Sequence, residues 1–306
     1  MMDIFAALWP VFALLFLGVL INRVQFVDHH FWSGAEKIIY YLCFPALLVT
    51  RLAAADFNGS ESLVLIEAVL LLLALGSLFL LGLQRLFKFR AASFTSVYQG
   101  GLRFNTYITL AIAASLIPGK GLVIAAIIAS FMIPLLNLLC VLVFALFSDQ
   151  RPSLFTVLKQ ILSNPLILAC LLGLALNLSN LGIPLLVTPV LELLAQVALP
   201  LGLLAVGAGI NLKAMRASGL PMLMGVGARL VVMPLLGLAV GMLLQLSQEA
   251  LLIFMVFASV PTASAAYILA KQLNGDAPLV ANILSAQTLL SMLTLPVALS
   301  LPGLIL

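Results

Sequence analysis

The chain has 306 residues, of which 64% are hydrophobic and only 8% are charged. A soluble domain holds about 25% charged and about 45–50% apolar residues, so no soluble fold can bury this much apolar side chain and the bilayer must be the solvent. The net charge of +4 is modest and sits in short connections, which argues against a nucleic-acid partner.

The apolar stretches predict an all-α integral membrane protein with ten transmembrane helices. A helix that crosses about 30 Å of hydrocarbon needs about 20 predominantly apolar residues. The connections are short and polar, and the longest lies near the middle of the chain, around residues 148–163. The predicted spans are residues 4–22, 36–52, 62–84, 92–116, 121–147, 160–179, 186–211, 219–245, 249–272 and 277–301.

Basic residues in the connections predict the orientation. Cytoplasmic loops carry an excess of Lys and Arg. Two basic residues accompany the even-numbered connections, Arg51 and Lys120, and ten accompany the odd-numbered ones. The odd-numbered connections should therefore face the cytoplasm, with both termini on the extracytoplasmic side of the inner membrane. The ten are Arg23, Lys37, Arg85, Lys88, Arg90, Arg151, Lys159, Lys213, Arg216 and Lys271.

Matching residues in the two halves predict an internal duplication, with residues 1–152 and 153–306 as its two repeats. Four pairs share an offset of 155 residues, close to half the chain length. Because each half holds five helices, the second half must enter the membrane from the opposite side, as in the inverted repeats of many secondary transporters. The pairs are Pro10 with Pro165, Gly18 with Gly173, Asn22 with Asn177, and Pro45 with Pro200.

Two spans carry helix-breaking residues at corresponding places. The fourth span contains Gly101, Arg103 and Asn105 within an otherwise apolar run, and the ninth contains Pro261. Proline removes an N–H group, and nearby hydroxyls can bond the carbonyls that it frees. Gly and Pro also serve as packing and kink residues in membrane helices. Breaks at repeat-related positions nevertheless indicate a substrate site where helices 4 and 9 cross near the midplane.

The predicted crossing favours an anion. Each second half-helix begins with unpaired N–H groups and the positive end of its dipole. Such ends bind a carboxylate without a fixed charge. Asn105, Thr106, Thr262 and Ser264 are candidates for side-chain hydrogen bonds to the substrate. Arg103 is either a direct counter-charge or a tie to neighbouring carbonyls, and both interpretations stay open.

Polar residues elsewhere in the spans are assigned less specific roles. Asn137 is a candidate binding residue, although a deep amide can also bond a neighbouring helix. Pro45 and Pro200 are predicted to be structural kinks. Arg229 and Glu67 lie nearer the ends of their spans, where long side chains snorkel, and are predicted to be structural.

The spans contain no Asp and no His, which argues against catalysis and against metal binding. No catalytic residue, metal or cofactor is predicted. Coupling to H⁺ or Na⁺ would have to use Glu67, a cluster of backbone carbonyls or the proton of the substrate. A passive channel is an alternative, but it needs a continuous polar stripe along several helices. An intramembrane enzyme is another, but Thr262 and Ser264 have no His, Lys or Asp partner.

Four stretches resemble the auxin efflux carrier family, which includes bacterial malate and malonate permeases and is related in fold to bile-acid/sodium symporters. The resemblance covers essentially the whole chain. It is most specific in the ninth span and the turn that follows it. The stretches are Cys43-Phe44-Pro45-Ala46-Leu47-Leu48, Arg103-Phe104-Asn105-Thr106, Pro134-Leu135-Leu136-Asn137, and Pro261-Thr262-Ala263-Ser264-Ala265-Ala266-Tyr267 continuing to Asn274-Gly275-Asp276.

The resemblance implies a homodimer that exchanges access by an elevator-like movement. Helices 1, 2, 6 and 7 would form the scaffold, and helices 3–5 and 8–10 the transport domain. In the family, asparagines that match Asn105 and Asn137 help to hold the carboxylate of the substrate. The long loop of plant members between helices 5 and 6 is absent, and Leu47 or Leu48 replaces their polar residue after the helix-2 proline. The expected function is secondary transport of small mono- or dicarboxylates rather than of auxin.

Overall fold

A computed structural model describes residues 2–54, 60–147, 163–179, 181–210 and 219–305. These residues form helices and short turns, and no strand occurs among them. The first half contains α1 (Met2–Arg23), α2 (His29–Ile38), α3 (Phe44–Ala53), α4 (Ser60–Phe87), α5 (Ala91–Leu102), α6 (Thr106–Leu116) and α7 (Gly121–Phe147). The second contains α8 (Pro165–Leu178), α9 (Thr188–Ala208), α10 (Gly219–Gly227), α11 (Met233–Leu243), α12 (Gln248–Ser259), α13 (Ala265–Gln272) and α14 (Ala277–Ile305).

Six helical stretches of the described residues are long and apolar enough to cross a bilayer. The all-helical membrane fold is therefore confirmed, whereas ten spans stay a prediction. The difference has a structural reason, because several predicted spans are divided into two shorter helices. A π-helical turn, Ile39–Cys43, separates α2 from α3, and non-helical residues separate α5 from α6 and α12 from α13. The six stretches are Ile4–Arg23, Ser62–Phe87, Gly121–Phe147, Thr188–Ala208, Gly219–Leu243 and Ala277–Gly303.

The distribution of side chains suits a lipid solvent. Large apolar residues face outward, among them Trp9, Phe16 and Leu193. Polar side chains lie inside, where Gln99 and Arg229 are completely buried. Because lipid tails are as apolar as leucine, burial of apolar surface does not drive such helices together, and close packing and internal hydrogen bonds do so instead.

The helices pack in two groups. The first consists of α1, α3, α8 and α9, whose most extensive contacts are α1 with α9 and α3 with α8. Gly18 permits one of these contacts, since a Cβ atom there would lie 2.2 Å from the backbone oxygen of Leu204. The second group contains α5, α10, α11, α12 and α14, with α4 and α7 against it.

Two hydrogen bonds within the first group are reciprocal between the halves. Asn22 at the end of α1 donates its Nδ2 proton to the carbonyl oxygen of Ala208 over 2.9 Å. Asn177 at the end of α8 donates in the same way to Ala53 over 3.0 Å. The two donors are 155 residues apart, and so are the two acceptors, which is the offset found in the sequence. The two asparagines therefore make equivalent hydrogen bonds.

Some sequence predictions fall on residues that the structure does not describe. The predicted boundary between the repeats, at residues 152 and 153, lies outside the described residues. The same is true of four basic residues used for the orientation, Arg151, Lys159, Lys213 and Arg216.

Candidate functional site

Two interrupted helices meet at the centre of the second group. Helix α5 ends at Leu102 and α6 begins at Thr106, while α12 ends at Ser259 and α13 begins at Ala265. The backbone N–H of Asn105 donates to the carbonyl oxygen of Pro261 over 2.8 Å. Both interruptions occur where the glycines and the proline predicted them, and they are in direct contact.

The two breaks have the same local geometry. Arg103 and Val260 end their helices with identical backbone angles, φ −68° and ψ 152°, and each preceding helix has 12 residues. These positions are 157 residues apart, two more than the offset of the four matched pairs. Counted from these two residues, Asn105 and Thr262 occupy the same place in their breaks, two residues after the end-capping residue.

A cavity of about 500 Å³ lies beside the crossing. One wall is formed by α2 and the π-helical turn after it, and the other by the two breaks and by α7. Its polar lining residues are Ser33, Glu36, Lys37, Tyr40, Tyr41, Arg103, Asn105, Thr106, Tyr107, Asn137, Asn164, Ser264 and Gln272.

Three helices begin at this cavity. The first residue of α6, Thr106, and the first residue of α13, Ala265, both line it, as does Asn164, the residue before α8. Each helix N-terminus carries about half a positive charge from its aligned peptide dipoles. The sequence predicted two such ends at the site, and the structure adds a third from α8.

Asparagine side chains cap two of these ends. The Asn105 carboxamide oxygen accepts hydrogen bonds from the backbone N–H groups of Tyr107 and Ile108, at 3.0 and 3.2 Å. Asn164 caps α8 in the same way, whereas Ser264 makes no side-chain cap bond at α13. With its oxygen committed to the helix, Asn105 has only its amide nitrogen to offer a substrate.

Arg103 and Asn137 form a pair in the cavity wall. Arg103 donates from Nη2 to the Asn137 Oδ1 atom over 3.0 Å, which ties the break to α7. Its Nε is buried and has no hydrogen-bond partner among the described residues. Because Arg103 also lines the cavity, it lies where a counter-charge would, and the bond to Asn137 leaves the Asn137 amide nitrogen to donate.

The eight residues predicted to bind substrate do not all reach the cavity. Five line it: Arg103, Asn105, Thr106, Asn137 and Ser264. The other three, Gly101, Pro261 and Thr262, are buried at the crossing and do not line it.

Those three residues hold the crossing together. Thr262 donates its hydroxyl proton to the carbonyl oxygen of Gln99 over 3.3 Å. A Cβ atom on Gly101 would lie 2.9 Å from the Leu80 side chain, so the glycine allows close packing.

The two predicted kinks occupy different settings. Pro45 lies in the first turn of α3, directly after the π-helical turn Ile39–Cys43. Pro200 lies inside α9, and a π-helical turn does not precede it.

Sequence reasoning missed the wall that α2 contributes. Ser33, Glu36, Lys37 and Tyr40 line the cavity, and their spacing of three and four residues places them on one helix face. That periodicity was available as a signal, but the second span was predicted to begin only at residue 36. The cavity wall therefore holds two basic side chains, Lys37 and Arg103, and one acidic side chain, Glu36.

Two further charged residues differ from each other in their placement. Glu67 is exposed on α4 and does not line the cavity. Arg229 is completely buried and donates to the backbone at both breaks, so it does not snorkel, and its contacts are structural as predicted.

Comparison with known proteins points to transport. The sequence profile of a family described as membrane transport protein matches residues 149–299. An uncharacterized transporter from Methanothermobacter thermautotrophicus is 23% identical over 288 residues, which cover 94% of each chain. The chain is thus a multi-pass membrane protein, and its predicted resemblance to a family of membrane transporters is confirmed, with residues 149–299 matching that family.

Proposed function

We propose that this protein is a secondary transporter of small organic anions, mono- or dicarboxylates, across the inner membrane. The observation that carries the proposal is that three helix N-termini, Arg103 and two asparagine amides converge on one cavity. Preorganised donors of this kind replace the water that a carboxylate loses when it leaves solution.

The size and charge of the cavity agree with such a substrate. About 500 Å³ lies within the range of small-molecule sites, about 300–1,000 Å³. The wall has two basic side chains, Lys37 and Arg103, and one acidic side chain, Glu36, a balance that favours an anion. The Asn105 oxygen already accepts two protein hydrogen bonds and the Asn137 oxygen one, so each side chain has its amide nitrogen available to donate to the substrate.

The position of the cavity supports alternating access. One wall comes from α2 and from α8 of the first packing group, and the other from the two breaks and from α7, which packs against the second group. The rings of Phe44 and Tyr107 stack across the same boundary, with centroids 4.4 Å apart. A sliding movement of one group along the other would carry the breaks and the substrate together. We include in the proposal the elevator-like mechanism and the homodimer that the family resemblance implies.

The proposal also includes ten spans arranged as an inverted repeat. The reciprocal bonds of Asn22 and Asn177 support it, as do the identical backbone angles at Arg103 and Val260. An odd number of helices in each half then places the two breaks antiparallel, so that their N-terminal ends approach the substrate from opposite sides.

The test is ligand-induced thermal stabilisation of the detergent-purified protein. A panel of small carboxylates is compared with neutral and cationic analogues of the same size, across pH. We expect stabilisation by at least one carboxylate, with loss of that effect in Arg103→Gln. Arg85→Gln is the matched control, because Arg85 is exposed at the end of α4 and does not line the cavity. Stabilisation by neutral or cationic solutes alone would overturn the anion assignment.

Transport itself is measured in proteoliposomes. A carrier accelerates the uptake of labelled substrate when unlabelled substrate is present on the other side, and its flux saturates. A flux that rises linearly with concentration and shows no such exchange would instead identify a passive channel.

A further inference from the structure

Arg229 is completely buried, and no carboxylate pairs with it among the residues that the structure describes. It lies in the π-helical turn Ala228–Val232, which joins α10 to α11, and its exposed fraction is 0%. The described part of the chain has its ion pair elsewhere, between the exposed side chains of Lys120 and Glu249. A buried charge is costly unless it is paired or fully hydrogen-bonded, so the partners of Arg229 need an explanation.

Backbone carbonyl groups from both breaks are those partners. Arg229 donates from Nε to Val260 over 2.6 Å and from Nη1 to Leu102 over 3.3 Å. Its Nη2 group donates to the carbonyl oxygen of Phe257. One guanidinium group therefore joins the end of α5 to the end of α12, and we call these three oxygens the carbonyl cluster.

The carbonyl cluster exists because two helices end here. The last carbonyls of a helix have no partner within it and carry the negative end of the helix dipole. Neighbouring carbonyls are covered by an uncharged side chain, since Gln287 donates from Nε2 to Gly100 over 2.9 Å and to Gly225 over 3.0 Å. Gln287 also accepts from the backbone N–H of Thr262 over 2.8 Å.

At the crossing, the positive and the negative ends of the helix dipoles thus have different neighbours. The N-terminal ends of α6 and α13 line the substrate cavity, whereas the C-terminal ends of α5 and α12 face Arg229, which does not line the cavity. Carbonyl oxygens at the ends of broken helices are the groups that coordinate Na⁺ in many transporters. Here a guanidinium group, which stays protonated in proteins, already neutralises them.

We infer that Arg229 is a positioning residue whose guanidinium group takes the place of a bound cation at the crossing. It holds both breaks in position and leaves no Na⁺ site at the carbonyl cluster. The inference goes beyond the proposed function, because it concerns the coupling ion and the stability of the crossing rather than the substrate. It is tested without substrate, so its failure and the failure of the anion proposal are separate results.

The first experiment compares two side chains of similar length, Arg229→Lys and Arg229→Met. Lysine keeps the positive charge, whereas methionine leaves the carbonyl cluster without charge or donors. We expect the methionine variant to melt at a clearly lower temperature than the lysine variant. The same pair at exposed Arg85 is the control, and there we expect no difference. Equal melting temperatures for the two variants at position 229 would overturn the inference.

The second experiment restores the missing group from solution. In Arg229→Ala, millimolar methylguanidinium should raise the apparent melting temperature, by about 5 °C or more at a hundredfold excess over its dissociation constant. Tetramethylammonium, which has the same charge but no N–H donor, should have no effect, and neither ion should stabilise the unsubstituted protein. Equal effects of both ions on Arg229→Ala would overturn the inference.

The third measurement needs only the unsubstituted protein and is therefore independent of whether a variant folds. Its melting temperature is compared in NaCl, LiCl, KCl and choline chloride at constant ionic strength. We expect the same value in all four salts, because Arg229 occupies the place that an alkali cation would need. A rise specific to Na⁺ or Li⁺ would overturn the inference.

Discussion

Asn105 has two separable roles, and a series of substitutions can test both. Its carboxamide oxygen caps α6 by accepting from Tyr107 and Ile108, and its amide nitrogen is the group available to a carboxylate in the cavity. Asn105→Ser keeps an oxygen that can cap the helix but removes the amide. Asn105→Ala removes both groups.

The expected magnitudes follow from the two roles. A hydrogen bond to a charged group contributes about 1.5–3 kcal/mol, so both variants should bind the carboxylate about 10- to 100-fold more weakly. Serine is as good an N-cap as asparagine, whereas alanine at this position costs about 0.5–2 kcal/mol. The alanine variant should therefore melt about 2–4 °C below the serine variant for each kcal/mol of lost capping.

The assay combines a binding titration with a melting curve on the same preparations. Arg85→Ala is the control for a substitution that reaches neither the cavity nor a cap. Unchanged affinity in both Asn105 variants would refute the assignment of the amide to the substrate. Equal melting temperatures for the serine and alanine variants would refute the capping role, whatever happens to affinity.

Three other predictions test the packing, the crossing and the orientation. Gly18→Ala should strongly lower the melting temperature because its Cβ atom would lie 2.2 Å from the Leu204 oxygen, whereas Gly82→Ala, with no atom within 4 Å, should not lower it. Thr262→Val should lose about 0.5–1.5 kcal/mol of stability with its bond to Gln99 but keep substrate affinity, and a selective loss of affinity would place Thr262 in the binding site after all. A C-terminal reporter that fluoresces only in the cytoplasm should stay dark, and a bright signal would reverse the predicted orientation.

The broken helices were predictable because the signals are local. Gly101 and Pro261 weaken the helix at their own positions, and Asn105 is a typical capping residue, so the interruptions follow from the residues that form them. The constant offset between matching residue pairs also indicated that Asn22 and Asn177 are equivalent, which agrees with their hydrogen bonds.

The wall formed by α2 and the role of Arg229 were not predicted, because they depend on contacts between distant segments. Periodicity could have indicated the polar face with Glu36 and Tyr40, but not what it faces. Arg229 looked like a residue near the end of a span, where snorkelling is usual. The structure places it against Leu102 and Phe257, 127 and 28 residues away along the chain.

The sequence by itself determined the solvent, the helical class, the two breaks and the pairing of some residues between the halves. These features follow from composition and from local backbone chemistry, which do not depend on contacts with distant segments of the chain. Only the tertiary structure decided which carbonyls and N–H groups meet at the crossing, because each break leaves both kinds of group unpaired. Folding directs the N-terminal ends towards the cavity and the C-terminal ends towards Arg229, and no local sequence signal specifies that separation.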